Sequence, residues 1–263
     1  MLLAIDIGNT NVVLALLDAE DRVLEERRAP SKDGWTAEQY AAQIRALLCG
    51  RAVRGAAVSS VVPELTGVLS AAAREAAGVT ALVVNSDSPV GLTLAIEQPE
   101  TLGTDILAAD AAAAEEYPLP VIVFDFGTAT TVTVVDEQRR YRGGVILPGI
   151  KLGMQALFTG TAQLPDIRIE APAHVICTET VESLQAGAVY GAAAMTDGLV
   201  ERMESELGRP CTAVVTGGLG RFVMPHCRRR LVYDEHLLLR GLGMIWRRAQ
   251  GEILSCGAMG NAV

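Results

Sequence analysis

The feature that most constrains this chain is a motif that occurs twice: a buried strand with an aspartate near its end, a glycine turn and a returning strand. The first copy is Leu3-Ala4-Ile5-Asp6-Ile7-Gly8-Asn9-Thr10-Asn11-Val12-Val13. The second is Asp125-Phe126-Gly127-Thr128-Ala129-Thr130-Thr131, which follows an apolar run from Leu119 to Phe124. The two aspartates lie 119 positions apart, which is about the length of a small domain. The duplication therefore predicts two related domains, each with its own β-hairpin.

The residue types in these hairpins suit phosphate and cation binding. A glycine lets the backbone approach an anion closely, and Asn9 and Thr10 add side-chain donors. Asp6 is placed to hold a divalent cation such as magnesium, directly or through water. The plainer alternative is that each aspartate only stabilises its turn. The occurrence of the same pattern twice favours phosphate and cation handling.

The rest of the chain alternates apolar strand patterns with amphipathic helices, which predicts an α/β fold. Residues 22–28 are expected to form a third strand, Thr36 and Gln39 to form a capping box, and Thr180 to cap a long helix that ends near Leu207. A proline pair at 118 and 120 suggests a domain boundary. We expect an N-terminal domain over residues 1–117 and a C-terminal domain over 118–263, with residues 257–263 frayed.

Composition narrows the classes of partner. The net charge of −9 disfavours nucleic acid or an anionic membrane surface as the main partner. No uninterrupted apolar span of 18 residues occurs, and Asp6 falls where a signal peptide would be apolar. The five cysteines are scattered without a CxxC pair. We therefore expect a cytoplasmic protein with reduced thiols and neither a disulfide framework nor a zinc site.

Two further stretches carry candidate chemistry. Asp105 lies at the predicted start of a helix after Gly103; it either favours the helix dipole or acts as a base that takes a proton from a substrate hydroxyl during phosphoryl transfer. The residues alone leave these two roles equally open. Thr216-Gly217-Gly218 follows a strand and is either an ordinary turn or, beside two phosphate hairpins, the place where adenosine or the α-phosphate rests.

The two hairpins resemble those of the acetate kinase, sugar kinase, Hsp70 and actin superfamily, in which they clasp the phosphates of ATP. Nearly the whole chain is similar to the type III pantothenate kinases. The segments that carry this likeness, besides the two hairpins, are Ser59-Ser60-Val61-Val62-Pro63, Pro99-Glu100-Thr101-Leu102-Gly103-Thr104-Asp105, Gly143-Gly144-Val145-Ile146-Leu147-Pro148-Gly149, Glu179-Thr180 and Thr216-Gly217-Gly218. The resemblance implies duplicated actin-like (ribonuclease H-like) domains, each a mixed sheet flanked by helices.

The resemblance also implies an activity, which is the ATP-dependent phosphorylation of pantothenate in the first step of coenzyme A synthesis. It implies a homodimer that requires magnesium and a monovalent cation, potassium or ammonium. Asp105 would be the proton acceptor, and Asp125 would help to hold the monovalent cation. The implied ATP contacts are Asp6, Ile7, Gly8, Asn9, Thr10, Asn11, Val12, Val13 and Thr128, and the implied pantothenate contacts are Gly103, Thr104, Asp105, Ile106 and Thr180.

Two residues depart from the family pattern. Type III pantothenate kinases usually have Gly-Ala-Asp-Arg where this chain has Gly103-Thr104-Asp105-Ile106, and commonly have a tyrosine where it has Ile96. An arginine can pair with an anionic substrate and isoleucine cannot; Arg142 and Lys151 are candidates to compensate. The alternatives are a kinase with a different small-molecule acceptor, a catalytically weak nucleotide-binding homologue with a regulatory role, and an ATP-binding scaffold of the actin or Hsp70 kind. The scaffold is disfavoured because 263 residues leave no room for the extra subdomains.

Overall fold

The structure is a computed structural model that describes residues 1–251, and it divides into two compact units. In chain order the main elements are β1 (Leu2–Ile7), β2 (Asn11–Leu17), β3 (Val23–Pro30), α1 (Ala37–Leu48), β4 (Ala56–Ser60), α2 (Pro63–Ala77), β5 (Ala81–Val83), β6 (Thr93–Leu94) and α3 (Thr104–Glu116). They continue with β7 (Val121–Phe126), β8 (Ala129–Val135), β9 (Arg140–Pro148), α4 (Ile150–Gly160), α5 (Thr180–Leu207), β10 (Thr212–Thr216), α6 (Gly220–Val223), β11 (Val232–Tyr233) and α7 (Leu237–Ala249). The expected fraying of residues 257–263 lies outside the described residues.

Of the described residues, the first unit contains 1–116, 139–141 and 236–251. Its sheet has the strand order β3-β2-β1-β4-β5, in which β1 and β2, and β2 and β3, are antiparallel, whereas β4 runs parallel to both β1 and β5. The side chains of β1 alternate between two cores. Leu3, Ile5 and Ile7 pack with α1 and α2, whereas Leu2 and Ala4 pack with α3 and α7. The unit is therefore a mixed sheet covered by helices on both faces.

The second unit contains residues 117–138 and 142–235. Its sheet includes the strand order β11-β10-β7-β8-β9, and β7 pairs antiparallel with β8 and parallel with β10. This arrangement repeats that of the first unit strand for strand. Phe124 and Phe126 of β7 pack with residues of α4 and α5 in the core of this unit. The predicted α/β fold with two mixed sheets flanked by helices is confirmed.

Local signals in the sequence placed most elements correctly. Thr36 and Gln39 form the predicted capping box at the start of α1, and α2 ends at Gly78, which has φ +69°. The third strand covers Val23–Pro30, two residues further along the chain than expected at its end. The prediction that Thr180 caps α5 is wrong, because Thr180 is the first helical residue and the capping position is Glu179.

The division of the chain differs from the expected domains at the C-terminus. The first change of unit falls between Glu116 and Tyr117, next to the expected boundary, but α7 belongs to the first unit rather than to a domain 118–263. It does so because α7 packs closely along α3: a methyl group at Gly241 would collide with the carbonyl oxygen of Ala108. Among residues 1–251, no helix is both long enough and apolar enough to cross a membrane.

Candidate active site

The first hairpin places Asp6 at the fifth of the six residues of β1. Four buried residues precede it, and Asp6 itself is half-buried. The turn closes with a hydrogen bond from the Gly8 N–H to the Asn11 carbonyl (3.0 Å), and Asn9 and Thr10 are exposed at its tip. Since the glycine amide is used to close the turn, a phosphate would meet the residues after it. Of the other residues in this segment, Ile7 and Val12 are buried, whereas Asn11 is exposed and Val13 is half-buried.

A neighbouring strand supports this hairpin from the side. Ser31 directly follows β3, and its hydroxyl donates a hydrogen bond to the Gly8 carbonyl (2.7 Å). Its backbone N–H donates to the Thr10 carbonyl (3.4 Å). Ser31 thus fixes the two ends of the exposed turn. No local pattern in the sequence predicts this role of Ser31, because it depends on the pairing of β3 with β2.

Asp105 lies at the start of α3, which is tied to the strand next to Asp6. In the parallel pairing of β1 and β4, Asp6 is opposite Ser59. The Thr104 hydroxyl is 3.0 Å from the Ser59 hydroxyl and accepts a hydrogen bond from the Ser60 N–H (2.8 Å). The end of β1 and the first turn of α3 are therefore linked through Ser59 and Ser60. In the sequence, these two serines stand out only as part of the family likeness.

The surroundings of Asp105 suit a proton acceptor. Burial raises the pKa of the Asp105 carboxyl above its usual range, and hydrogen bonds from the backbone N–H groups of Ile106 and Asp105 offset this only in part. Oδ1 accepts the Ile106 N–H at 2.9 Å. Gly103 provides the space, since a methyl group there would collide with Oδ1 of Asp105. A raised pKa makes the ionised carboxylate a stronger base near neutral pH.

The second hairpin repeats the first. Asp125 is again the fifth residue of its strand, with the same burial pattern, and the Gly127 N–H donates to the Ala129 carbonyl (3.1 Å) to close the turn. In the parallel pairing of β7 and β10, Asp125 is opposite Thr216. Gly217 follows with φ +82°, and a methyl group there would collide with the Asp125 carboxylate. The structure thus brings Asp125 and the Gly217-Gly218 turn together.

Thr128 is exposed at the tip of the second turn, next to the start of α4. The Gly149 N–H donates to the Thr128 carbonyl (3.2 Å), and a Cβ at Gly149 would collide with the carbonyl oxygens of Gly127 and Thr128. Gly149 is the capping residue of α4, so the first turn of this helix begins against the hairpin. The partial positive charge of a helix N-terminus favours nearby anions. Gly149 belongs to a segment that carries the family likeness, but no local pattern in the sequence indicates this contact.

The other residues that the sequence singles out make fewer contacts with the two hairpins or with Asp105. Thr180 is exposed on the first residue of α5, and no hydrogen bond within the described chain joins it to the Asp125 hairpin. Ile106 and Ile96, which replace the family's arginine and tyrosine, are both half-buried in the first unit. Arg142 pairs with Asp136 at 3.3 Å within the second unit, whereas Lys151 has no ion pair within residues 1–251.

The donor set for a metal ion is sparse. Within residues 1–251, no group of three or more His, Cys, Asp or Glu side chains is placed to hold a metal by itself. A single carboxylate such as Asp6 fits a magnesium ion that takes its other ligands from water and from nucleotide phosphates.

Two of the cysteines are poorly suited to metal binding or catalysis. Burial raises the pKa of the Cys211 thiol and of the Cys227 thiol to about 11. Thiols with such values are poor metal ligands and nucleophiles.

Solved structures support the fold. The chain resembles the structure of a conserved putative Baf family transcriptional activator from Campylobacter jejuni, with a TM-score of 0.59, 20% identity and coverage of 95% of this chain and 99% of the other. It also resembles a putative 2-dehydro-3-deoxygalactonokinase from Sinorhizobium meliloti, with a TM-score of 0.53, 13% identity and coverage of 100% and 99%. At these identities the likeness establishes the fold alone, which is that of the sugar kinases.

Sequence relatives establish the family. The family model for type III pantothenate kinase matches residues 2–202. A type III pantothenate kinase from Exiguobacterium sp. is 36% identical over 255 residues, which cover 95% of this chain and 100% of the relative. One from Myxococcus xanthus is 38% identical over 253 residues, covering 94% and 98%. On these matches, of which those to the two relatives span nearly the whole chain, the chain belongs to the type III pantothenate kinase family.

Proposed function

We propose that this chain transfers the γ-phosphate of ATP to the primary hydroxyl of pantothenate and forms 4'-phosphopantothenate, the first step of coenzyme A biosynthesis. The observation that carries the proposal is the link, through Ser59, Ser60 and Thr104, between the strand of Asp6 and the helix start of Asp105. A link of this kind supports the proposal because it joins the end of the strand of Asp6 to the first turn of the helix that carries Asp105. Phosphoryl transfer needs mainly such positioning and charge stabilisation.

In this proposal, the two hairpins bind the polyphosphate of ATP. Residues 6–13 supply contacts from the first unit, and Thr128 supplies one from the second. The carbonyls of Gly8 and Thr10 are already engaged by Ser31, which keeps the first turn in a fixed shape before the nucleotide arrives. Gly218 is exposed, and a methyl group there would meet nothing within 4 Å. The Gly217-Gly218 turn therefore has space beside it for the adenosine or the α-phosphate.

Asp105 accepts the proton of the attacking hydroxyl. Its carboxylate is half-buried at the start of α3, where Gly103 leaves room for it. The segment from Gly103 to Ile106, together with Thr180, contacts pantothenate. Because Ile106 carries no charge, the carboxylate of pantothenate is bound by other donors than in relatives with an arginine there.

Two kinds of cation complete the site. Magnesium would be held by Asp6, directly or through water, and by the phosphates, and it supplies charge neutralisation on the transferring group. The Asp125 carboxylate, packed against Gly217, would hold potassium or ammonium. Within residues 1–251, no group of three or more acidic, histidine or cysteine side chains could hold a metal, which fits cations that take some of their ligands from the nucleotide.

The protein is proposed to work as a homodimer. Large exposed apolar side chains concentrate in the second unit, on α4, at the start of α5 and in the segments flanking them. They are Ile146 (75% exposed), Leu152, Leu157, Phe158, Val175, Ile176 (90% exposed) and Val181. Helices α4 and α5 contact each other, and such a concentration of apolar surface marks an interaction site in a soluble protein. A second copy of this chain is the occupant that the family resemblance implies.

The test is a coupled assay of ADP release with ATP, magnesium and pantothenate, with and without potassium or ammonium. Turnover that depends on the monovalent cation, with 4'-phosphopantothenate identified by mass spectrometry, supports the proposal. ATP binding measured by calorimetry without turnover would contradict it and would favour a different acceptor or a binding-only role. Sedimentation velocity of the same sample tests the dimer.

A further inference from the structure

The sequence contains only two lysines, and each follows the third strand of one unit. Strand β3 ends at Pro30, and Lys32 comes two residues later. Strand β9 ends at Pro148, and Lys151 comes three residues later. All the other basic residues apart from the histidines are arginines. The two lysines therefore occupy corresponding places in the duplicated fold.

In both units, the residue that follows the proline contacts the phosphate turn through its backbone. The Ser31 N–H donates to the Thr10 carbonyl at 3.4 Å, and the Gly149 N–H donates to the Thr128 carbonyl at 3.2 Å. Lys32 is the next residue after Ser31, and Lys151 is the second residue after Gly149. Each lysine is thus held within two residues of a direct contact with the tip of its own hairpin.

Both lysines are also available to bind an anion. Each is exposed, and within residues 1–251 neither has an ion pair or a side-chain hydrogen bond. The ion pairs in that part of the chain use arginine, apart from one with a histidine; examples are Arg240 with Glu116 and Arg248 with Glu115. The usual role of an exposed lysine is solvation of the surface. Lys32 and Lys151 differ from such surface lysines because they occupy corresponding positions beside the turn in both units.

A chain with a negative net charge needs local positive charges to bind an anionic polyphosphate. The chain has a net charge of −9, and each hairpin carries an aspartate of its own, Asp6 in the first unit and Asp125 in the second. A lysine ammonium is a flexible point charge that suits phosphate oxygens. We propose that Lys32 and Lys151 bind the polyphosphate of ATP, each beside the hairpin of its own unit. This inference rests on the proposed kinase function, which it deepens.

The test compares Lys32→Met and Lys151→Met with charge-matched controls. Arg74→Met on α2 and Arg230→Met before β11 remove the same charge from exposed positions whose side chains have no described contact. We expect each lysine variant to raise the KM for ATP by about 5- to 50-fold and to leave the KM for pantothenate within about twofold. The controls should change neither constant by more than about twofold, and Lys32→Arg and Lys151→Arg should recover most of the affinity for ATP.

The outcomes separate this inference from the proposed function. If the wild-type protein turns over pantothenate and the lysine variants keep the wild-type KM for ATP, the lysine assignment is wrong while the kinase function stands. A rise in the KM for pantothenate rather than ATP in Lys151→Met would instead assign Lys151 to the carboxylate of pantothenate. If the wild-type protein does not turn over pantothenate, the proposed function fails, and calorimetric titration with ATP still compares the lysine variants with the controls.

Discussion

Gly217 lies so close to Asp125 that a methyl group on its α-carbon would collide with Oδ1 of the carboxylate and with the backbone of Phe126. The contact follows from the sheet, because the parallel pairing of β7 and β10 places Asp125 opposite Thr216. The φ of +82° at Gly217 adds a second reason for glycine, since side-chain-bearing residues rarely adopt it. The proposed monovalent-cation site therefore depends on Gly217, although this glycine has no side chain that could bind the ion.

Substitution Gly217→Ala is expected to displace the Asp125 carboxylate and to lower the response of turnover to potassium or ammonium by at least about tenfold. The measurement is turnover as a function of monovalent-cation concentration. Gly67→Ala, on α2, is the control, because a methyl group there meets nothing within 4 Å. An unchanged cation response in Gly217→Ala would contradict the assignment of Asp125.

Asp105→Asn is expected to lower kcat by about 10²- to 10⁴-fold and to leave ATP binding nearly intact, because the amide cannot accept the proton of the hydroxyl. The space left by Gly103 accommodates an isosteric side chain. Turnover and calorimetric ATP titration give the two readouts. Turnover close to that of the wild type would remove Asp105 from the mechanism.

The acidic limb of the pH profile of turnover should lie above the usual range of an aspartate, because burial raises the pKa of Asp105 and catalysis needs its ionised form. The measurement is kcat/KM as a function of pH.

The contribution of Asp105 to the free energy of unfolding should decrease as the pH rises, because the buried carboxyl is more stable in its neutral form. A raised folded-state pKa contributes stability below the unfolded pKa, near 3.8, and this contribution is lost as the pH rises through the folded value. Asp105→Asn should thus raise the Tm at pH 8 but not at pH 3.5. A higher Tm at pH 3.5 alone would contradict the raised pKa.

The sequence predicted the parts of the site that depend on short patterns. Asp6 and Asp125 lie near the ends of strands and Asp105 lies in the first turn of a helix, and apolar runs mark these elements, so the three positions could be predicted directly. The contacts of Ser31 and Gly149 with the turns could not, because they depend on how the third strand of each unit ends beside the hairpin of that same unit. The same limit applies to α7, whose place beside α3 is a tertiary contact at Gly241 that no local pattern encodes.

Ser31→Ala removes the hydroxyl that holds the Gly8 carbonyl at 2.7 Å. We expect a rise of about 3- to 10-fold in the KM for ATP, because the turn loses one net hydrogen bond that fixes its shape before binding. The KM for pantothenate should stay unchanged. Ser70→Ala is the matched control, since its hydroxyl donates to a carbonyl within α2 at 2.7 Å. Equal KM values for ATP in both variants would show that the bond does not shape the turn.

Arg247 and Asp21 form an ion pair that holds α7 against the turn between β2 and β3. The Asp21 side chain is 2% exposed, its φ is +62°, and Arg247 also donates to the Ala19 carbonyl at 3.1 Å. Arg247→Met would leave the Asp21 carboxylate buried without its cation, so we expect a loss of about 2 to 4 kcal/mol in the free energy of unfolding. Chemical denaturation measures it.

Exposed Arg74 again provides the control for that experiment, because Arg74→Met removes an equal charge from the same unit without breaking a described contact. Its free energy of unfolding should stay within about 0.5 kcal/mol of the wild type. The double variant Arg247→Met with Asp21→Asn should recover part of the loss, since it removes the buried charge along with its partner. If Arg247→Met is as stable as Arg74→Met, the pair does not hold α7 in place, and the contacts of α7 with α3, such as the packing of Gly241 and the ion pair of Arg240 with Glu116, must do so.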